Sequence, residues 1–250
     1  MIDIHTLEML LIVGAGFLAG GILKGATGAG APIIVVPVMA LFYDVPFAVT
    51  MFVIPNFVTN IRQAQVFWDH RLPGRFTYVF AFAGLLGAGF GTVLLAVLSG
   101  DSLLLIVAGI VFVYIAFRLA KPHWVLDRGV ATRISFPVGA FAGMLQGACG
   151  ISAPVSLTFM NAQRLKREEF IATISVFFAA MAVSQFPLMV WYGLMTWERF
   201  ILSLVALIPL MAGMPLGARI GKRLSRETFD RIILVMLAAI GVKLLFDYLT

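Results

Sequence analysis

Polar and apolar positions along this chain separate into long blocks. Apolar stretches fall at about 7–43, 46–67, 76–98, 103–119, 134–160, 170–192, 198–221 and 229–247, with most charges gathered in the short connections. Each stretch is long enough for a helix to reach across most of a hydrocarbon core of roughly 30 Å. The runs are continuous rather than alternating, which predicts membrane helices and argues against a transmembrane barrel. No low-complexity linker divides them, so the pattern predicts a single membrane domain over residues 1–250.

Two of the eight stretches are interrupted by the same phrase. The first copy runs from Gly21 to Pro32 and the second from Gly143 to Pro154. Laid over each other without gaps, they match at Gly21/Gly143, Leu23/Leu145, Gly25/Gly147, Ala26/Ala148, Gly28/Gly150, Ala31/Ala153 and Pro32/Pro154. Further echoes follow in the same order: Gly87 to Gly91 resembles Gly213 to Gly217, Leu98 to Ser102 resembles Leu224 to Thr228, and Gln63 matches Gln185. The chain therefore reads as two four-segment repeats, 1–123 and 124–250. Glycine and proline at membrane depth free backbone groups that lipid cannot satisfy. Broken segments at corresponding places in two halves point to a transporter's binding site.

Loop charges set the expected orientation of the halves. Arg71 and Arg75 follow the second segment, and Arg118, Lys121, Arg128 and Arg133 follow the fourth. Arg164, Lys166 and Arg167 follow the fifth, and Lys222, Arg223 and Arg226 the seventh. Eight full crossings would put the basic loops after the fourth and fifth segments on opposite faces, against the positive-inside rule. If the first and fifth segments are re-entrant hairpins, every strongly basic loop becomes cytoplasmic and both termini face outward. Each half then has three spans, and the second half is inverted relative to the first. Eight crossings with kinked first and fifth helices is the alternative.

Composition agrees with the class. The chain is 61% hydrophobic and 12% charged, with mean hydropathy +1.02. A soluble domain of this size needs far more charged surface. The net charge of +6 lies in orienting loops and is no nucleic-acid footprint. A single cysteine, Cys149, excludes an intramolecular disulfide and any multi-cysteine metal site. The first residues, Met1 to Glu8, are acidic and lack a cleavage site, so the first segment is expected to belong to the mature protein.

The glycine phrase followed by Ile33-Ile34-Val35-Val36-Pro37, its echo in the second half and the four-plus-four layout together resemble the TauE/SafE family. That resemblance covers essentially the whole chain. It implies a multi-pass protein of the bacterial inner membrane that exports sulfite, organosulfonates such as sulfoacetate, or related organic anions. Family members often carry a run of glycines where this chain reads Gly28-Ala29-Gly30-Ala31, a departure that bears on the shape of the pocket.

The candidate substrate-binding residues follow from the broken segments. Tips of this kind offer unpaired N–H groups and the positive end of a half-helix dipole to an anion. Gly25, Gly28, Gly30, Gly147 and Gly150 allow close backbone approach, and Thr27 and Ser152 add hydroxyl donors; tight helix packing is the other reading of the glycines. Lys24 is a basic residue at depth, where charge is expensive and usually faces a cavity or substrate, unless it snorkels to an interface. Its counterpart is Gln146. Asn56, Asn60 and Gln63 share one helical face, with Arg62 beside them and Gln185 as the matching residue in the sixth segment; interhelical hydrogen bonding is the alternative role. Cys149 sits in the second tip and reads more readily as a packing residue than as a contact to a sulfur substrate.

These features point to a secondary exporter working by alternating access around the paired tips. Asp44, Asp69, Asp101 and Asp127 lie near loops and Glu8 near the start, so a relay of protons through buried carboxylates has little support. An anion channel is the nearest rival. An intramembrane enzyme is less favoured, since His5, His70 and His123 are terminal or in loops and Gly150-Ile151-Ser152 lacks a base at membrane depth. No metal or organic cofactor is expected. The expected partners are a small anion and the lipid bilayer, with a second copy of the chain left open and nucleic acid excluded.

Overall fold

The computed structural model describes residues 4–120, 124–221 and 242. The predicted eighth segment, the Lys222–Arg226 loop, Lys121 and His123 therefore lie outside the described residues. The elements among the described residues are helices: α1 (Ile4–Thr27), α2 (Ala31–Phe42), α3 (Val45–Val66), α4 (Gly74–Val97), α5 (Gly100–Ala120), α6 (Arg128–Cys149), α7 (Ala153–Ala162), α8 (Arg167–Trp191) and α9 (Trp197–Gly221), with one short 3₁₀ turn at Trp68–His70. Among the described residues, α1, α3, α4, α5, α8 and α9 are long and apolar enough to cross a membrane.

Local chemistry accounts for the helix ends. α1 stops where Gly28 turns left-handed at φ 84° and its N–H donates to the Lys24 carbonyl at 2.7 Å. α6 stops in the same way, with Gly150 at φ 70° and its N–H on the Gln146 carbonyl at 2.8 Å. Only glycine occupies that region without strain. α2 and α7 then restart with a proline in the first turn, Pro32 and Pro154, where the missing N–H costs nothing. Asp44 caps α3 by accepting from the Phe47 N–H, and Asp127 caps α6 by accepting from the Gly129 N–H at 2.8 Å. The second cap corrects the expected loop after the fourth segment: Arg128 and Arg133 lie in the exposed first turns of α6.

Glycines bring two helix pairs into backbone contact. A Cβ on Gly21 would stand 2.1 Å from the Leu210 carbonyl oxygen, and one on Gly25 would stand 1.9 Å from that of Met214. Reciprocally, Gly213 abuts Leu18 and Gly217 abuts Ile22. Both series ascend together, so α1 and α9 run parallel. α4 and α6 repeat the arrangement, with Gly87 on Ala140, Gly91 on Met144, Gly143 on Gly84 and Gly147 on Ala88. α2 folds back along α1, where Gly16 meets Met39 and Gly20 meets Val35. Small residues allow such approach where lipid supplies no hydrophobic drive.

α3 and α8 pack against each other in the interior, and each carries buried polar residues. Two apolar clusters flank them. One gathers Phe17, Met39, Met51 and Phe52 with Cys149 and Leu210; the other stacks Phe76, Phe80, Phe159 and Phe177. The outer surface is apolar too: Tyr78, Phe82, Leu86 and Phe90 form an exposed stripe along α4. The four tryptophans, Trp68, Trp124, Trp191 and Trp197, stand at helix ends or in connections, the level at which aromatic belts meet headgroups.

Candidate functional site

The polar side chains buried at the ends of α1 and α6 form two groups. The first lies where the last turn of α1 meets the last turns of α3. Lys24 is 2% exposed, and its Nζ donates to Asn60 Oδ1 at 2.8 Å. Asn60 Nδ2 in turn donates to Asn56 Oδ1 and to the Asn56 carbonyl, both at 2.7 Å. Asn56 Nδ2 is buried without a partner among the described residues. Gln63 Nε2 donates to the Gly28 carbonyl at 3.2 Å. An ammonium has three donors and an amide NH₂ two. Among the described residues Lys24 makes this one hydrogen bond and no ion pair, so the cluster holds one basic nitrogen and spare donors in an apolar interior.

The second group lies where α6 gives way to α7. Gln146 Oε1 accepts from the Ser152 N–H at 3.2 Å and from Ser152 Oγ at 3.0 Å. Gln185 Nε2, reaching from α8, donates to the Gln146 carbonyl at 3.2 Å, while Gln185 Oε1 is buried without a partner among the described residues. A Cβ on Gly150 would meet Val36 and Val49, so this tip is closed by α2 and α3. The second group carries no charge. No hydrogen bond among the described residues joins it to the first.

The remaining candidates have other placements. Thr27 Oγ1 is occupied by the carbonyls of Leu23 and Ala29. Gly30 is buried at φ 96° and starts α2. Gly25 and Gly147 face the neighbouring helices α9 and α4 rather than an open pocket. Arg62 is exposed while Asn60 and Gln63 beside it are buried, so the structure separates it from the Lys24 group. Cys149 is fully buried in the apolar cluster with Phe52 and Leu210.

Three residues on α8 join the first tip that the sequence reading did not anticipate. Arg167 Nη2 donates to the Gly25 carbonyl at 3.3 Å, Ile171 packs where a Cβ on Gly28 would be, and Ser175 Oγ reaches Gln63 Oε1 at 3.5 Å. Their spacing of four residues places them on one face of α8. That periodicity is visible in the sequence, but nothing local indicates which helix the face meets.

Comparison with curated proteins and with solved structures found no match. Residues 12–244, nearly the whole chain, match the family described as Sulfite exporter TauE/SafE. That match accords with a helical protein whose long apolar helices expose apolar side chains and whose interior holds a lysine and amides. The chain is a multi-pass membrane protein and belongs to the sulfite exporter TauE/SafE family.

Proposed function

We propose that this chain exports a small sulfur oxyanion or a related organic anion through a site centred on Lys24. The observation that carries the reading is the buried side-chain nitrogen of Lys24, hydrogen-bonded to Asn60 and facing no carboxylate among the described residues. A charge in an apolar interior is costly without a partner, and a cavity or substrate is the usual reason for one. The spare Asn56 Nδ2 is a further donor for an oxyanion. Lys24, Asn56, Asn60 and Gln63 bind the anion, with Gly28 and Gly30 shaping the tip.

In this reading the two halves are inverted repeats, and alternating access moves the site between faces around the tips at 28–30 and 150–152. Support comes from the reciprocal packing: α1 on α9 uses glycines that correspond, by the repeat alignment, to those of α6 on α4. The tip formed by Gln146, Ser152 and Gln185 is the uncharged counterpart and closes the far side. An inside-negative membrane potential favours anion exit by roughly 2.3 kcal/mol per charge per 100 mV, so export needs no buried carboxylate relay.

Purified protein in liposomes, with the voltage clamped, tests the proposal against sulfite, thiosulfate, sulfoacetate and small carboxylates. Saturable flux of at least one sulfur oxyanion is expected. Charge-assisted hydrogen bonds of about 1.5–3 kcal/mol make Lys24→Met about ten- to hundredfold slower at equal insertion. Unchanged flux in Lys24→Met removes the site, and flux that never saturates favours a channel.

A further inference from the structure

We infer that Arg167 forms the mouth of the anion path on the face that carries residues 163–167, capturing the anion from solution before it reaches Lys24. The inference rests on the site proposed above and adds to it a second cation on a different helix. The first observation is reach. Arg167 begins α8, yet its Nη2 donates to the carbonyl of Gly25, the residue directly after Lys24. Arg167 is exposed and Lys24 is buried. An exposed guanidinium is thus bonded to the residue of α1 that adjoins an interior lysine.

The second observation is charge balance. No carboxylate lies within ion-pair distance of Arg167 among the described residues. Glu169 accepts instead from the Lys166 N–H at 2.9 Å and stands 3.7 Å from Arg128. A guanidinium carries five N–H donors in a fixed fork, and one is spent here on a neutral carbonyl. The rest of the fork matches two oxygens of a sulfonate, sulfite or carboxylate.

The third observation is continuity. Arg167, Ile171 and Ser175 follow one another along a single face of α8 from solvent to the interior. Ile171 abuts Gly28, and Ser175 meets the Gln63 amide that holds the Gly28 carbonyl. The face thus runs from the exposed guanidinium to the tip beside Lys24. At the other tip the position corresponding to Arg167 is Val45, which is 2% exposed and apolar. The mouth therefore belongs to one face of the membrane, and capture is face-specific.

The test measures sulfite flux against concentration in right-side-out and everted vesicles containing the full chain, at low and high ionic strength. Arg167→Gln is expected to raise KM about tenfold from the 163–167 face, with Vmax within about twofold, and to abolish the salt sensitivity of KM there; removal of a rim charge acts on capture and its screening. KM from the opposite face stays at the wild-type value. Arg167→Lys, which keeps the charge and loses the fork, falls between the two. An Arg167 that only caps α1 gives another result: lowered thermal stability and equal loss of flux from both faces, which overturns the proposal. An unchanged KM from the 163–167 face also overturns it. If Arg167→Gln fails to insert, Arg167→Lys decides: a KM rise of about threefold confined to that face supports capture, and none refutes it. Lys24→Met in the same vesicles keeps the two claims apart. Normal flux in Lys24→Met sinks the inner site, whereas slowed flux in Lys24→Met beside a wild-type KM in Arg167→Gln sinks only the mouth.

Discussion

Lys24 and Asn60 sit 36 positions apart in the chain and meet at 2.8 Å, both buried. Removing the amide leaves the Lys24 nitrogen without its acceptor. A buried group left unpaired costs about 1–3 kcal/mol, more when charged, so Asn60→Ala is expected to destabilise the protein by at least that much. In a Lys24→Met background the same change should cost little, because the group that needed the acceptor has gone. A double-mutant cycle on thermal unfolding in detergent measures the difference; coupling below about 0.5 kcal/mol would mean that the two side chains do not depend on each other. The spacing of Asn56, Asn60 and Gln63 made their common face readable from the sequence, and all three are buried. Arg62 was not readable in the same way. Sequence places it beside that face, while the turn of the helix sends it outward.

At the level of the element, the glycines divide by what each position demands. Gly28 and Gly150 adopt left-handed backbone, which a sequence can announce because few residues tolerate it. Gly25 and Gly147 have ordinary helical backbone, and their role lies in what faces them, Met214 and Ala88. No local pattern reports that partner. For the same reason Arg167 and Ser175 went unread, since their contacts lie 142 and 112 residues away. The charges of Arg128 and Arg133 read as a loop in the sequence, whereas the structure starts α6 at Arg128 with Asp127 as its cap. A substitution separates the two kinds of helical glycine. Gly25→Ala drives a methyl into the Met214 backbone and should cost about 1–3 kcal/mol of stability, as overpacking does. Gly14→Ala, on the same helix with nothing within 4 Å, should be neutral or slightly stabilising in the same unfolding assay.

For the whole molecule, the parallel pairs and the α3–α8 contact place particular loops on the same side. The Leu72 N–H donates to Thr173 Oγ1 at 2.9 Å, which ties the connection after α3 to the start of α8. In a Cys149→Ser background, single cysteines at His70 and Arg164 should react with a membrane-impermeant maleimide from one face. Cysteines at Asp44 and Gly193 should react from the other, and labelling of His70 and Asp44 from the same side would contradict this arrangement. Eight long stretches, two echoing phrases and loop charges were enough to read a helical membrane protein from sequence. That no hydrogen bond among the described residues joins the two polar groups was not legible, because it depends on how distant helices pack.

The close pairing of α1 with α9 and of α4 with α6 has a thermodynamic consequence. Helices that touch through backbone in lipid do not owe their association to the release of water from apolar surface. Parting them inside the bilayer exposes them to acyl chains instead, so the heat-capacity increment that bends the stability curve of a soluble domain should be nearly absent. The free energy of this seam should therefore vary almost linearly with temperature, with no optimum near room temperature and no loss of grip in the cold.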